Sequence, residues 1–298
     1  AIFTYHFYRL MYRASNVKLF YNGTTDGIQI GEPSRFIAQW SFDRPEAHNW
    51  KNHTQNVPFV APPNSHKSIP KTAAVIEKLI ELAKSGFSPS GLNVFLKDGY
   101  AFYKRYLLGL REEDELETFF SHKTYGMLVH KALEALYTPK IGKKLTQADS
   151  KEMIDRVDAV VDEMVKHDYP QNISGKNVLA LAAIKRNIQN LIVQEQADIR
   201  MGNEIEIIAL EQKLSITQVV PGIDVPVKFK GTIDRVDKYK GDIRVLDYKT
   251  GRTQDLGIME WTDLVYDPEL SQARQLLLYT MLWNKHNPEH PATRAGII

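Results

Sequence analysis

Three residues have types and spacing suited to chemistry. Asp247 and Lys249 stand two apart in "DIRVLDYKTG", and Asp234 stands thirteen positions before Asp247 in "GTIDRVD". Side chains alternate across a β-strand, so Ile243, Val245, Asp247 and Lys249 share one face. That face starts apolar and ends as a carboxylate beside an ammonium. One reading is a strand end reaching solvent with a surface ion pair, worth about 0–1 kcal/mol. The other is a site. The turn at Lys240-Gly241 lets the two strands pair as a hairpin, which can bring Asp234 to Asp247. Two neighbouring carboxylates repel unless a cation lies between them. Hard divalent ions such as Mg²⁺ and Mn²⁺ prefer oxygen ligands. A lysine beside such an ion can orient a water or offset charge building on a phosphate.

Two more residues bear on this. Glu211 interrupts an apolar strand face made of Ile205, Ile207 and Ala209, either as an edge-strand charge or as a ligand. His130 lies in "YGMLVHKALEALY", where Leu128, Ala132, Leu133 and Leu136 form the core stripe of a helix. Gly126, His130 and Glu134 occupy an adjoining face. A lone histidine beside an apolar stripe is ordinarily structural. Gly126, one turn earlier, suggests that another backbone comes close.

The elements that must position these residues follow from periodicity. Helical patterns are expected in "TAAVIEKLIELAKSG", in "SPSGLNVFLKDGYAFYKRYLLGL" from an N-cap at Ser88, and in "KTYGMLVHKALEALY". "ADSKEMIDRVDAVVDEMVKH", "NVLALAAIKRNIQNLIVQEQADI" and "PELSQARQLLLYTMLWNKH" follow the same rule. Between the last two, "EIEIIALEQKLSI", "VPVKFKGTIDRVDKY" and "DIRVLDYKTG" alternate as strands joined by Gly-containing turns, and "ATRAGII" reads as a terminal strand. This order implies an α/β (α+β) architecture, a small mixed sheet flanked by helices. Residues 1–42 read as a helix ("FYRLMYRAS"), a strand ("NVKLFYN"), a polar turn with Gly27 and Gly31, and a helix from about Ser34. Residues 43–70, rich in His, Asn, Pro and Ser, read as a linker. "REEDELE" reads as an exposed acidic turn. The start lacks Met and opens in mid-pattern, so a fragment of a longer protein is expected.

Composition limits the functions available. The 298 residues are 43% hydrophobic and 25% charged, ordinary for a globular protein. No apolar run reaches 18 residues and no signal peptide is visible, so no membrane partner is expected. Cysteine is absent, which excludes disulfides, thiol catalysis and thiolate metal sites and fits a cytoplasmic location. The net charge of +2 means any nucleic-acid surface must be a local patch.

Together these residues resemble the core of the PD-(D/E)XK nuclease superfamily, most closely the RecB and AddB type nuclease domains. The resemblance rests on "GTIDRVD…VLDYKTG", on "GMLVH" (Gly126–His130) as a Gly-x-x-x-His helix, and on "QLLLY" (Gln275–Tyr279) as a Gln-x-x-x-Tyr helix. "SPSGLNVFLKDGYAFYKRYLLGL" resembles the family's opening helix. The resemblance covers about Phe87 to Ile298 and implies a restriction-endonuclease-like core. It implies Asp234, Asp247 and Lys249 as catalytic residues, and His130, Asp234, Asp247 and the Tyr248 carbonyl as ligands of Mg²⁺ or Mn²⁺. Glu211 would stand behind the ligands or serve a second ion, and Gln275 and Tyr279 would hold substrate. Residues 1–70 resemble the end of a helicase-like domain plus a linker, preceding a nuclease domain over 71–298.

The function this resemblance implies is metal-dependent DNA hydrolysis, exonucleolytic in kind, on linear ends or single strands. It would serve double-strand-break repair and recombination, with a helicase subunit or a helicase domain of the same protein as partner. The alternative is a catalytically inactive nuclease fold used for DNA binding or scaffolding. One departure stands out: many AddB-type relatives bind an iron–sulfur cluster through cysteines, and here "FLKDGYAFY" has none, so no cluster can form.

Overall fold

The computed structural model describes residues 2–21, 33–43, 49–53, 68–110, 119–170, 174–254 and 256–298. The chain divides into two units, Ala1–His66 and Lys67–Ile298. In the first, α1 (Ile2–Met11) and α2 (Arg35–Asp43) meet through aromatic rings. Phe7 stacks on Phe36 at 5.1 Å between centroids, and Trp40 meets Trp50 edge-on at 5.8 Å. The strand expected in "NVKLFYN" does not form at Val17–Tyr21. β-propensity needs a neighbouring strand, and Phe20 is left 86% exposed. The turn with Gly27 and Gly31, most of segment 43–70 and the acidic run "REEDELE" lie outside the described residues.

The second unit starts with α3 (Ala73–Ser85), capped by Thr72 and ended by Gly86, whose φ of 107° closes the helix. α4 (Pro89–Lys97) has Ser88 as N-cap and Pro89 in its first turn. The long opening helix expected from Ser88 to Leu110 is broken. Asp98 is extended, and its carboxylate accepts the N–H groups of Tyr100 and Ala101 at 2.9 and 3.1 Å. An acid able to satisfy the next turn's donors competes with helix continuation. The chain restarts as α5 (Gly99–Phe102) and a π-helical turn, Tyr103–Leu107.

Then come α6 (His122–Tyr137), α7 (Gln147–Asp168) and α8 (Lys176–Arg200). They are followed by β1 (Ile205–Gln218), β2 (Val227–Tyr239), β3 (Asp242–Asp247), α9 (Asp263–Tyr266), α10 (Ser271–His286) and β4 (Arg294–Ile297). The sheet order is β1-β2-β3-β4. The first three strands run antiparallel and β4 lies parallel to β3, which makes the small mixed sheet expected from the sequence. Lys240 and Gly241, both at positive φ, form the tight β2–β3 turn.

Each face of the sheet is covered. Leu128, Leu133 and Leu136 of α6, Val157 of α7 and Ile184 and Ile188 of α8 pack with Ile205 and Ile207 on one side. Leu282 and Trp283 of α10 pack with Ile233, Val236 and Val245 on the other. Gly231 is required here: a Cβ at this position would lie 2.7 Å from the ring of Tyr279.

A buried ionic network ties the helical layer to β2. Arg235, fully buried, reaches Glu195 of α8 at 2.6 Å and Asp237 at 2.7 Å. Asp237 accepts two bonds from Arg244, and Tyr137 of α6 donates to Glu195 at 2.6 Å. Removing one member leaves a buried charge short of its partner. Glu195→Ala should therefore destabilise the fold by about 3–5 kcal/mol, measured by urea unfolding.

Candidate active site

α6 starts at the Ser121 cap, whose hydroxyl accepts the Thr124 N–H. Two turns on it places His130 at the end of β3. His130 Nε2 lies 3.1 Å from the Tyr248 carbonyl. A carbonyl can only accept, so this contact puts a ring proton on Nε2 and leaves Nδ1 for the acids. Nδ1 is 3.6 Å from Asp234 Oδ2 and 3.8 Å from Glu211 Oε1. Candidate ligand atoms of His130, Glu211 and Asp234 all lie within 4.8 Å of one another.

Asp234 and the end of β3 converge as the hairpin register requires. The outermost β2–β3 pair is Arg235 with Leu246, so Asp234 stands at the next step. There its Oδ2 accepts the Tyr248 N–H at 2.7 Å. Asp247 is buried, and its side chain is held from two directions. Oδ2 is 2.5 Å from Lys249 Nζ, and Oδ1 accepts from Gln275 Nε2 at 2.9 Å. Gln275 also bonds the Tyr279 hydroxyl one turn along α10, at 2.9 Å. The side chains that the sequence sets beside Asp234 and Asp247 thus gather at one end of the sheet, with one exception. Tyr248 turns its ring into the helical core and offers its backbone. Its carbonyl, expected among the metal ligands, faces His130 Nε2 in this structure.

Electrostatics mark the place as a cluster of mutually perturbed groups. Burial, reinforced by the charges of Asp247 and Glu211, pushes Asp234 up to about 7, although His130 and the Tyr248 N–H pull the other way. Burial by itself would lower His130, but Glu211 and Asp234 outweigh it and raise it. A buried carboxylate that cannot easily ionise beside two other acids is what a divalent ion would relieve. One imidazole nitrogen and several carboxylate oxygens suit Mg²⁺ or Mn²⁺.

Glu211 is the residue least defined by the sequence, and the backbone explains why. Its φ is 44°, a left-handed conformation rare for a residue with a side chain and unusual inside a strand. The β1–β2 register also shifts between Ile207 and Ala209. These two irregularities turn the Glu211 carboxylate to His130 and Asp234. Gly126 has a milder role than expected: a Cβ there would meet the Thr250 hydroxyl at 3.4 Å, an ordinary contact with a side chain and no backbone. The site opens into a cavity of about 500 Å³ lined by His122, Lys123, His130, Lys131, Glu211 and Lys249 among others.

Comparison with known proteins points to one family. The sequence pattern of the PD-(D/E)XK nuclease superfamily matches residues 86–297. An ATP-dependent helicase/deoxyribonuclease subunit of Streptococcus pneumoniae is 28% identical over 174 residues, 56% of this chain and 15% of that protein. The exonuclease/helicase subunit RexB of S. pneumoniae serotype 4 matches to the same extent. The corresponding helicase/deoxyribonuclease subunit of Streptococcus agalactiae is 25% identical over 169 residues, 55% of this chain and 14% of its own length. The matched region thus spans about 15% of these relatives. The superfamily match covers well over half of the chain and contains every residue of the site described above, so the chain belongs to the PD-(D/E)XK nuclease superfamily.

Proposed function

We propose that this chain is a divalent-metal-dependent deoxyribonuclease domain that works on DNA ends as part of a helicase–nuclease. The observation that carries this reading is the convergence of His130, Glu211 and Asp234 on one point, with Lys249 and Asp247 beside it. The relatives named as helicase/deoxyribonuclease subunits support a helicase partner and a DNA substrate, and in this reading the chain serves break repair and recombination. In this reading residues 1–70 end a helicase-like region, residues 71–298 form the nuclease domain, and the protein works in the cytoplasm.

His130, Glu211, Asp234 and Asp247 would hold Mg²⁺ or Mn²⁺, with the Tyr248 carbonyl fixing the imidazole through Nε2. Such an ion, when bound, would supply a water of lowered pKa and offset charge on the scissile phosphate. Lys249, held by Asp247, orients the attacking water and faces the charge that develops as the water oxygen bonds phosphorus and the ester oxygen leaves. Gln275 and Tyr279 position the substrate strand from α10.

The test is hydrolysis of linear DNA by the 298-residue chain, alone and with a helicase partner supplied. Cleavage with Mg²⁺ or Mn²⁺ and none with EDTA is the expected result. If no divalent ion supports cleavage while DNA is still bound, the fold serves as an inactive DNA-binding or scaffolding module.

A further inference from the structure

A second cavity, about 560 Å³, borders the site on the α10 side. Gln275 and Tyr279 line it and join it to Asp247 through the Gln275 amide. Its remaining wall is the outer half of the β1–β2 hairpin and the start of α4. The pairing of that hairpin has a regular chemistry. Thr217 stands opposite Lys228, Ser215 opposite Lys230, and Lys213 opposite Thr232. Alternate pairs share a face of the sheet, so three successive rungs each offer one ammonium and one hydroxyl. Rungs on one face are separated by about 6.7 Å along the strands. The flanking pairs, Gln212 with Ile233 and Leu210 with Arg235, make the next rung Glu211 and Asp234.

In register, the pair that follows the row is therefore two of the proposed metal ligands. No acid lines this cavity among the described residues, whereas Glu134 and Glu211 line the cavity beside His130. There, Lys131 is also committed to Asp168 at 2.8 Å. Lys230 is steadied by donating to the Ser85 carbonyl at the end of α3.

A single anion would need one such cluster. A repeating ammonium-and-hydroxyl row suits a polymer with a phosphate at each repeat. Resting on the nuclease reading above, we propose that Lys213, Lys228 and Lys230, with their paired hydroxyls, bind the sugar–phosphate backbone of a single nucleic-acid strand and lead it to the carboxylates.

The test compares the wild-type chain with a Lys213→Ala/Lys228→Ala/Lys230→Ala variant and its all-arginine counterpart. Binding of a labelled single-stranded DNA oligonucleotide is followed by fluorescence anisotropy over a range of salt. Each lost phosphate contact lowers the slope of log K against log salt by about 0.7, so the alanine variant should lose about 2. Its affinity at low salt should fall at least tenfold, its Mn²⁺ titration should match the wild type, and the arginine variant should keep the slope. An unchanged affinity and slope in the alanine variant, with a wild type that binds and cuts, overturns the track and leaves the nuclease reading standing. A matching loss in a Lys123→Ala/Lys131→Ala variant instead assigns the strand to the other cavity and also overturns it. A wild type that neither binds nor cuts DNA overturns both.

Discussion

Lys249→Ala should cripple DNA cleavage while leaving the folded chain and its metal affinity in place. The expected loss is at least about 100- to 1000-fold in kcat, the scale seen when one preorganised charge or donor facing a transition state is removed. The side chain contributes little to the fold. Lys249 Nζ pairs with Asp247, but the residue's place in the sheet comes from its backbone N–H, which donates to the Ile298 carbonyl at 3.0 Å. Asp247 keeps its bond from Gln275 in the variant. Lys249→Arg should be nearly as inactive, because a planar fork does not replace a compact ammonium 2.5 Å from a carboxylate. Single-turnover cleavage beside a Mn²⁺ titration separates the two effects. Equal loss of metal binding would show that Lys249 shapes the site and does not act in the reaction.

Asp234→Asn separates binding from stability in the opposite direction. In the metal-free fold Asp234 holds its proton to about pH 7, against about 3.9 for a free aspartate. The folded chain then binds a proton that the unfolded chain releases. The stability this gives is fully present below about pH 4 and is lost as pH rises through 7. His130, also raised, acts in the same sense: its contribution is present below about pH 6.5 and is lost above. Asparagine keeps an oxygen for the Tyr248 N–H, which Asp234 holds at 2.7 Å, and removes the charge. At pH 8 with EDTA the variant should be more stable than the wild type by about 1–3 kcal/mol, and at about pH 4 the two should converge. The same Mn²⁺ concentration should raise the wild-type Tm more than the variant's. Thermal unfolding at both pH values checks this. A variant less stable at pH 8, stabilised by Mn²⁺ as much as the wild type, would show that Asp234 serves the fold alone.

Parts of this site can be read from the sequence because they depend on short-range rules. The period of two in "DIRVLD" puts Val245 against α10 and Asp247 beside Gln275 of the same helix. The Lys240-Gly241 turn sets a register that carries Asp234 to Tyr248. Asp98-Gly99 is a helix break legible in principle, since the acid caps the turn after it. Other parts depend on context. Period two would keep Ile205, Ile207, Ala209 and Glu211 on one face, yet Ile207 packs against the helices and Ala209 against the α10 side. The register shift between Ile207 and Ala209 causes this, and no local pattern announces it or the left-handed Glu211 that follows. The Arg235–Glu195 pair behind the site joins residues forty positions apart and leaves no periodic trace. "NVKLFYN" has the composition of a strand without a partner to make it one.

In the proposed function His130, Glu211 and Asp234 form one divalent-cation site. Calorimetric titration of Mn²⁺ into the metal-free chain tests it most directly, with wild type, Glu211→Gln and Asp234→Asn side by side. Saturable binding is expected in the wild type, with at least a tenfold weaker affinity in each variant. Equal affinity and stoichiometry in all three proteins would contradict it.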